Sequence, residues 1–444
     1  MRRVCLTLPT NRACTPTIAA VAEEAAHGAR ESGAEVHLLI LDSSAPADLA
    51  AHRAAVAALP PAPGVVVHHL DEAEQRVFLR AATAASGAPD RLMELLLPDG
   101  VSYGACTNRA FLVAEALGCS SVHRRDSDSR YQLLDGKPVF PIHHELAALG
   151  RPASEVAGAV TRARLDPALA DRPVALVGAS FIGEPSVDVD GIRALDPEAY
   201  QEIVGLSVPA GTPEIWRRHL VDEAFRGGGT EPFTADHTTL TLVPPNRVDM
   251  CNVALGREVY AHVPLPPATD TIGTDYFLLH LVRHARLPGV LHNRHIVNYY
   301  TGERRSDEGF LAYQLRFAKY LLATGRLDEV YAGLAAAGDE LLDPAGPVRP
   351  GTVAALARAS AGADPADGAA RLDVLDRRYR SLGGRYAAAA DVFAGRRDRL
   401  LAEAGADMAD FALLTDAWGS LTAHAKGTAV NHLPRPRTAP AVTP

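Results

Sequence analysis

The chain has 444 residues, which is longer than one typical domain and enough for a large core. Its apolar fraction of 47% and charged fraction of 22% are those of an ordinary soluble protein. The net charge of -9 excludes the basic surface that nucleic-acid binding requires. Lysine is scarce beside abundant arginine and alanine, a bias that resembles a high-GC bacterial genome.

The five cysteines show no C-x-x-C spacing. This pattern predicts small core residues in a reducing cytoplasmic compartment, and neither a disulfide framework nor a zinc site. No run of about 18 apolar residues is present, so we expect no membrane span. The apolar stretch near the N-terminus is too short for a signal peptide and predicts a first strand.

The first hundred residues alternate between strand and helix patterns. Three apolar runs predict strands, at 3–8, 35–41 and 64–70. Helical patterns lie between and after them, which is typical of a doubly wound α/β sheet. Ligands of such sheets bind beyond the carboxyl ends of the strands, where this chain carries Thr10, Arg12 and Asp42. Residues 173–179 and 238–243 predict further strands in a more mixed middle region.

Helical spacing of apolar residues dominates from about Ser306 to Leu421. We therefore divide the chain into a catalytic domain over 1–305, a helical C-terminal subdomain over 306–430 and a disordered tail over 431–444 rich in Pro and Thr. The helical subdomain is also a candidate homodimer interface.

The most informative stretch is Asp126-Ser127-Asp128, which follows the helical run that contains Asn108 and Arg109. In an extended backbone, residues i and i+2 point the same way, so the two carboxylates would converge on one point. Two converging hard oxygens suit a divalent cation that also holds a diphosphate.

The order of these motifs resembles that of glycosyltransferases with the GT-A fold. The resemblance extends over roughly residues 1–305 and continues through three later blocks, Asn252-Val-Ala-Leu-Gly-Arg257-Glu-Val-Tyr260, Thr274-Asp275-Tyr276 and Arg294-His295-Ile-Val-Asn298. It implies a Rossmann-like, GT-A-like sheet and a nucleoside-diphosphate sugar as donor.

The resemblance also implies roles for single residues. Asp128, helped by Asp126, would hold Mn²⁺ or Mg²⁺, with His295 or His292 completing the metal shell. Thr10, Arg12 and Asp42 would bind the nucleotide, Asp42 through the base or ribose. Arg109 would contact a phosphate. Asp275 would be the general base of an inverting mechanism.

Two departures from the family pattern matter. The carboxylate block reads Gly273-Thr274-Asp275, with no Glu before the Asp, so Asp270 is a rival for the base. Arg124 and Arg125 precede the acidic pair, where apolar residues are more common in the family. Asp275 could also be a simple helix N-cap, and Arg304 could belong to a solvated surface.

The sequence therefore predicts a metal-dependent glycosyltransferase acting on a small soluble acceptor, such as a secondary metabolite. One alternative is a sugar-phosphate nucleotidyltransferase, although the first loop lacks the glycines usual in that family. Another is a non-catalytic nucleotide-sugar-binding protein.

Overall fold

A computed structural model describes residues 1–434 except 186, 300 and 345, together with the backbone of 437–438. Most of the predicted tail over 431–444, namely 435–436 and 439–444, lies outside the described residues.

The N-terminal part of the chain forms alternating strands and helices, as the apolar pattern predicts. These are β1 (Arg3–Thr10), α1 (Thr15–Ser32), β2 (Glu35–Asp42), α2 (Pro46–Ala58), β3 (Val65–Asp71), α3 (Glu72–Thr83), α4 (Pro89–Leu96), α5 (Tyr103–Ala116) and β4 (Ser121–Arg124).

The middle part has shorter elements. These are β5 (Arg130–Tyr131), β6 (Leu133–Leu134), β7 (Lys137–Pro138), α6 (Ile142–Ala148), α7 (Ala153–Ala157), β8 (Arg162–Ala163), β9 (Leu176–Gly178), β10 (Phe181–Gly183), α8 (Val189–Leu195), α9 (Pro197–Gly205), α10 (Glu214–Glu223), β11 (Thr238–Thr241), β12 (Val253–Gly256), α11 (Arg257–Tyr260), α12 (Phe277–His284), β13 (Gly289–His292) and β14 (Ile296–Asn298).

The C-terminal part is helical apart from one short edge strand. Its elements are α13 (Gly302–Arg305), α14 (Asp307–Ala337), α15 (Pro350–Ala361), α16 (Ala366–Leu382), α17 (Gly384–Gly395), α18 (Arg397–Gly427) and β15 (Arg437–Thr438). Single 3-10 turns lie at Pro167–Leu169, Pro245–Arg247, Thr274–Tyr276, Gly338–Leu341 and Ala429–His432.

One large sheet organises the molecule. The strand order is β15-β3-β2-β1-β4-β12-β9-β13-β11-β8. Strands β3, β2, β1 and β4 run parallel, so their carboxyl ends share one edge. Strand β12 is antiparallel to both of its neighbours, β4 and β9. The residues that lead into β12 therefore lie at the same edge as the residues that leave β4.

The parallel strands are buried on both faces because helices cover both sides of the sheet. Along β2, Leu38 and Ile40 pack into a core with helix α1, whereas Leu39 and Leu41 pack into a second core. Successive side chains of a strand point to opposite faces of the sheet, so those of β2 enter different cores. Because both faces are buried, the sequence of β2 is a continuous apolar run.

The C-terminal helices complete that second core. Trp418 of α18 is fully buried, and its indole N–H donates a hydrogen bond of 2.9 Å to the carbonyl oxygen of Tyr260. The Phe411 ring packs edge-on against Phe277 with ring centroids 4.8 Å apart. The structure thus has the expected α/β class, a doubly wound sheet with a helical C-terminal region, and the two parts share one core. No helix among the described residues is long and apolar enough to cross a membrane.

A three-stranded sheet of order β10-β14-β5 lies beside the carboxyl edge. Strand β5 follows the Asp126–Asp128 segment directly, and it pairs antiparallel with β14. Since β14 leads into α13, this pairing places the start of the helical region next to the acidic pair.

Candidate functional site

The loops that follow β1 and β4 meet at the carboxyl edge of the sheet. The two strands are parallel neighbours, with Thr7 opposite Arg124. Beyond them, a guanidinium nitrogen of Arg12 lies 3.4 Å from a carboxylate oxygen of Asp128. The Thr10 hydroxyl donates a hydrogen bond of 2.9 Å to the Arg12 carbonyl oxygen, which shapes the turn that presents Arg12.

The acidic pair lies in a turn, whereas we expected extended backbone there. The Ser129 N–H donates to the Asp126 carbonyl oxygen at 3.0 Å, which closes the turn. Helix α1 holds it from one side, because the Thr17 hydroxyl donates to the Ser127 carbonyl oxygen at 2.8 Å. Asp126 and Asp128 consequently bind different arginines.

Arg124 joins Asp126 to Asp275. One guanidinium nitrogen lies 3.1 Å from Asp126 and another lies 2.7 Å from Asp275. Asp275 is 4% exposed, and burial raises the pKa of its carboxyl group although Arg124 opposes that rise. Asp275 lies in the 3-10 turn before α12, and the N-cap residues of that turn and of α12 are Gly273 and Tyr276. Asp275 therefore does not occupy the N-cap position of either element.

Arg304 also belongs to this site, although a solvated surface role was one reading of the sequence. It is 4% exposed, and one of its guanidinium nitrogens lies 3.6 Å from Asp128. Its guanidinium carbon lies 4.5 Å from the centre of the Tyr313 ring, within the range of a cation–π contact. Helices α13 and α14 thus supply residues to the carboxyl edge.

Asp249 is a further carboxylate that sequence reasoning missed. It accepts hydrogen bonds from the Tyr276 hydroxyl and from the Cys251 N–H. Burial raises the pKa of Asp126 to about 6; Arg124 opposes the rise, and negative charges including that of Asp249 add to it. Only the strand order could have revealed Asp249, because it precedes the antiparallel strand beside β4.

Asp42 does not present its carboxylate to a ligand. It is 1% exposed, and one oxygen accepts hydrogen bonds from His52 at 2.8 Å and His69 at 2.9 Å. The other oxygen accepts from the Ser44 N–H at 3.0 Å. Burial opposes ionisation, but the hydrogen bonds from His69, Ser44 and His52 hold the pKa of Asp42 below its ordinary range. The expected direct contact with base or ribose is corrected accordingly.

Arg109 forms hydrogen bonds inside the protein and is not placed to bind a phosphate. Its guanidinium donates to the Gln75 side-chain oxygen at 2.8 Å and to the Leu96 carbonyl oxygen at 2.5 Å. These bonds join α5 to α3 and α4, so we leave Arg109 out of the candidate site.

Two more of the predicted site residues form hydrogen bonds with neighbouring loops. Asp270 is exposed, and its carboxylate accepts from the Val101 N–H at 3.3 Å. His295 accepts from the Ser180 N–H through Nδ1 at 3.2 Å. The proposed catalytic role of Asp270 and the proposed metal-binding role of His295 stay predictions, and we build the candidate site from the acidic pair and its arginines.

The two remaining acidic residues fit a divalent cation by their chemistry, since carboxylate oxygens are hard ligands. Within the described part of the chain, no group of three or more His, Cys, Asp or Glu side chains is placed to hold a metal ion. His295 and His292 therefore do not complete a protein metal shell with Asp126 and Asp128. A cation there would need further oxygen ligands from a substrate or water.

The parallel strands β3, β2, β1 and β4, the antiparallel strand beside β4 and the C-terminal helices define an α/β protein with a charged site at the carboxyl edge of its sheet. The chain belongs to the family of unknown function DUF6271, whose model matches residues 2–434. No curated protein matches the chain.

Two solved structures show a weak overall similarity. One is the "Crystal Structure of a Mycobacterial Protein", with 16% identity, 77% of each chain covered and a TM-score of 0.34. The other is the mannosyltransferase PcManGT from Pyrobaculum calidifontis in complex with GDP-Man and Mn²⁺. It has 13% identity and a TM-score of 0.35, over 94% of this chain and 87% of that one.

Proposed function

We propose that this protein is a glycosyltransferase that moves a sugar from a nucleoside-diphosphate donor to a small soluble acceptor. The observation that carries the proposal is the meeting of Arg12, Asp128 and Arg304 from three separate segments at the carboxyl edge. Sheets of this class bind their ligands at that edge. Two arginines beside a pair of acidic residues suit a diphosphate together with a divalent cation.

In this proposal, Arg12 and Arg304 turn from Asp128 to the donor diphosphate. Each guanidinium donates hydrogen bonds to phosphate oxygens, for which its planar fork is well shaped. Asp126 and Asp128 would hold the cation. A bound Mn²⁺ or Mg²⁺ ion would neutralise the negative charge that develops on the leaving nucleoside diphosphate.

The charge balance of the site supports a cation. The carboxylates of Asp126, Asp128 and Asp275 pair with the guanidinium groups of Arg12, Arg124 and Arg304. The negative charge of Asp249 also acts on Asp126. A diphosphate would add further negative charge, and burying it beside these carboxylates without a counter-charge is costly.

Asp275 is our proposed general base. Arg124 holds its carboxylate through a 2.7 Å ion pair and also binds Asp126. A carboxylate fixed beside the donor site can accept the proton of an acceptor hydroxyl as the new glycosidic bond forms, which corresponds to inversion at the anomeric carbon. Asp249 is the neighbouring carboxylate that would take this role if Asp275 did not.

A nucleotide and product screen tests the proposal. Thermal unfolding is followed with UDP, GDP, CDP or dTDP, each with and without Mn²⁺, because a ligand of the native state raises the midpoint by mass action. The corresponding nucleotide sugars are then incubated with the protein. Release of nucleoside diphosphate supports a glycosyltransferase. In a parallel incubation with sugar 1-phosphates and nucleoside triphosphates, release of pyrophosphate identifies a nucleotidyltransferase.

Binding without turnover under any acceptor tested would instead favour a non-catalytic nucleotide-sugar-binding protein. Failure of every nucleoside diphosphate and nucleotide sugar to bind, with or without Mn²⁺, would overturn the proposed donor class. The Asp135→Asn variant is a suitable control protein, because Asp135 is exposed in the β6–β7 turn. Its left-handed φ of 51° is one that asparagine tolerates.

A further inference from the structure

The buried carboxylate of Asp42 organises two histidines that the proposed reaction has not yet used. Asp42 ends β2, and His69 lies near the end of the parallel neighbour β3. The same Asp42 oxygen accepts from His52 Nδ1 and from His69 Nε2, at 2.8 and 2.9 Å. The two rings nevertheless have different surroundings.

His52 is satisfied inside the protein. It is fully buried, and its second nitrogen, Nε2, accepts a hydrogen bond of 2.9 Å from the Cys14 N–H. That bond ties the start of α1 to the Asp42 carboxylate. His52 is therefore a positioning residue with no nitrogen left for a ligand.

His69 differs because only one of its nitrogens is engaged. Its side chain is 10% exposed, and Nδ1 makes no hydrogen bond with the described residues. Since Nε2–H donates to Asp42, the neutral ring carries a lone pair on Nδ1, which makes that atom a hydrogen-bond acceptor. Asp42 thus fixes both the orientation and the tautomer of His69.

Ser44 belongs to the same group of donors around Asp42. Its N–H donates to Asp42 at 3.0 Å, and its hydroxyl also lies beside the carboxylate. The Asp42 carboxylate is thus satisfied within the protein, and Nδ1 of His69 is the atom of this group that a polar ligand can bind.

We infer that His69 binds the nucleoside part of the donor, with its Nδ1 accepting a hydrogen bond from an N–H of the base or an O–H of the ribose. The inference rests on the proposed function. Its location follows from strand order, because β3 and β2 lie on one side of β1 and the diphosphate site lies between β1 and β4. Asp42 acts through His69 and does not touch the ligand.

Two probes separate this inference from the proposed function. Isothermal titration in Mn²⁺ measures the affinity of full-length protein for UDP, GDP, CDP and dTDP, and for inorganic pyrophosphate. For the tightest nucleotide, His69→Ala should lower affinity about three- to tenfold, the range of one neutral hydrogen bond. Affinity for pyrophosphate, which has no nucleoside, should stay within twofold of wild type.

Asp42→Asn tests the positioning role. An Asn oxygen that accepts from both histidines would place its NH₂ group against the Ser44 N–H, so two donors would face each other and the Asp42-centred arrangement that orients His69 is lost. Nucleotide affinity should fall as in His69→Ala, and the double variant should be no weaker than the weaker single variant. Retained pyrophosphate binding shows that the variant is folded. His432→Ala, at an exposed histidine in the turn Ala429–His432, is the control and should bind like wild type.

Wild-type nucleotide affinity in His69→Ala would overturn the inference, and so would an equal loss of nucleotide and pyrophosphate affinity. If wild type binds pyrophosphate and no nucleotide, the nucleoside site is wrong while a diphosphate site stands. If it binds neither probe, the proposed donor class itself is wrong.

Discussion

Asp126 and Asp275 share the guanidinium of Arg124, although they lie in segments far apart in the chain. Asp126 follows β4, whereas Asp275 precedes α12, and the ion pairs measure 3.1 and 2.7 Å. The proposed cation ligand and the proposed base are thus oriented by one buried side chain. A change at either carboxylate leaves Arg124 one ionic partner, so the two functions can be tested by separate substitutions.

Asp128→Asn should weaken nucleoside-diphosphate binding in Mn²⁺ by at least about tenfold, or roughly 1.4 kcal/mol. The substitution keeps the shape of the side chain but removes the negative charge that would offset the cation. Titration calorimetry with and without EDTA checks this. Asp135→Asn is the matched control and should bind like wild type. Equal affinity of wild type, Asp128→Asn and EDTA-treated protein would contradict the metal proposal.

Asp275→Asn should lower turnover by roughly 10²–10⁴ and leave nucleotide affinity unchanged, because a general base acts mainly in the transition state. Steady-state kinetics combined with calorimetry separates the two quantities. Asp270→Asn is the control, since Asp270 is exposed and bonded to the Val101 N–H, and it should stay within a few-fold of wild type. If the Asp275 variant turned over near the wild-type rate, Asp275 would not be the general base. Asp249 would then be the next candidate, or the reaction would need no general base.

Arg125→Met should destabilise the fold by about 3–5 kcal/mol. Arg125 is fully buried and binds Glu24 and Glu145 at distances of 2.8–3.0 Å. Burial opposes ionisation of Glu145, but Arg125 and His123 lower its pKa to about 2. Removing the arginine leaves buried carboxylates without their main counter-charge.

Denaturant unfolding measures that change. Arg76→Met is the comparison variant, because Arg76 pairs with Glu72 on an exposed helix face. Exposed pairs contribute little, and this variant should stay within about 1 kcal/mol of wild type. Similar stabilities for the two variants would show that the buried network is not required for folding.

Stability should fall on acidification partly because of His280. Burial lowers its pKa to about 3, and its ring stacks on Tyr331 at 3.7 Å. In the unfolded chain the His280 ring takes up a proton near pH 6.5, whereas in the folded protein it does so only near pH 3. The free energy of unfolding therefore decreases as the pH falls from about 6.5 toward 3. For one such histidine the loss between pH 7 and pH 5 is about 2 kcal/mol.

The His280→Phe variant checks this assignment, because phenylalanine preserves a stacked ring and cannot titrate. Thermal unfolding midpoints of both proteins are measured from pH 8 to pH 5. The midpoint of wild type should fall more steeply than that of His280→Phe. Parallel curves would show that His280 does not contribute to the pH dependence.

A fragment over residues 1–305 should be insoluble. It would uncover the core that Phe411, Leu414 and Trp418 complete, all of which are fully buried. Exposed apolar surface of that kind leads to aggregation. Removal of residues 431–444 should instead leave a folded, active protein. Expression, solubility and nucleotide binding of the two truncations provide the measurement, and a soluble, active 1–305 fragment would contradict the prediction.

The sequence by itself determined the local elements and the position of the acidic pair. The apolar run of β2 and the helical spacing after Ser306 reflect periodicity, which depends only on neighbouring residues. The same local pattern predicted strands that end near Thr10 and Asp42, which are the last residues of β1 and β2.

Only the tertiary structure decided which polar residues remain available at that edge. Asp42 and Arg109 were expected to contact the nucleotide, yet burial obliges them to find partners within the protein. Arg304 and Asp249 join the site because β5 pairs with β14 and β12 runs antiparallel beside β4. Such pairings join residues distant in the chain, so local sequence patterns do not encode them, and they determine which charges meet.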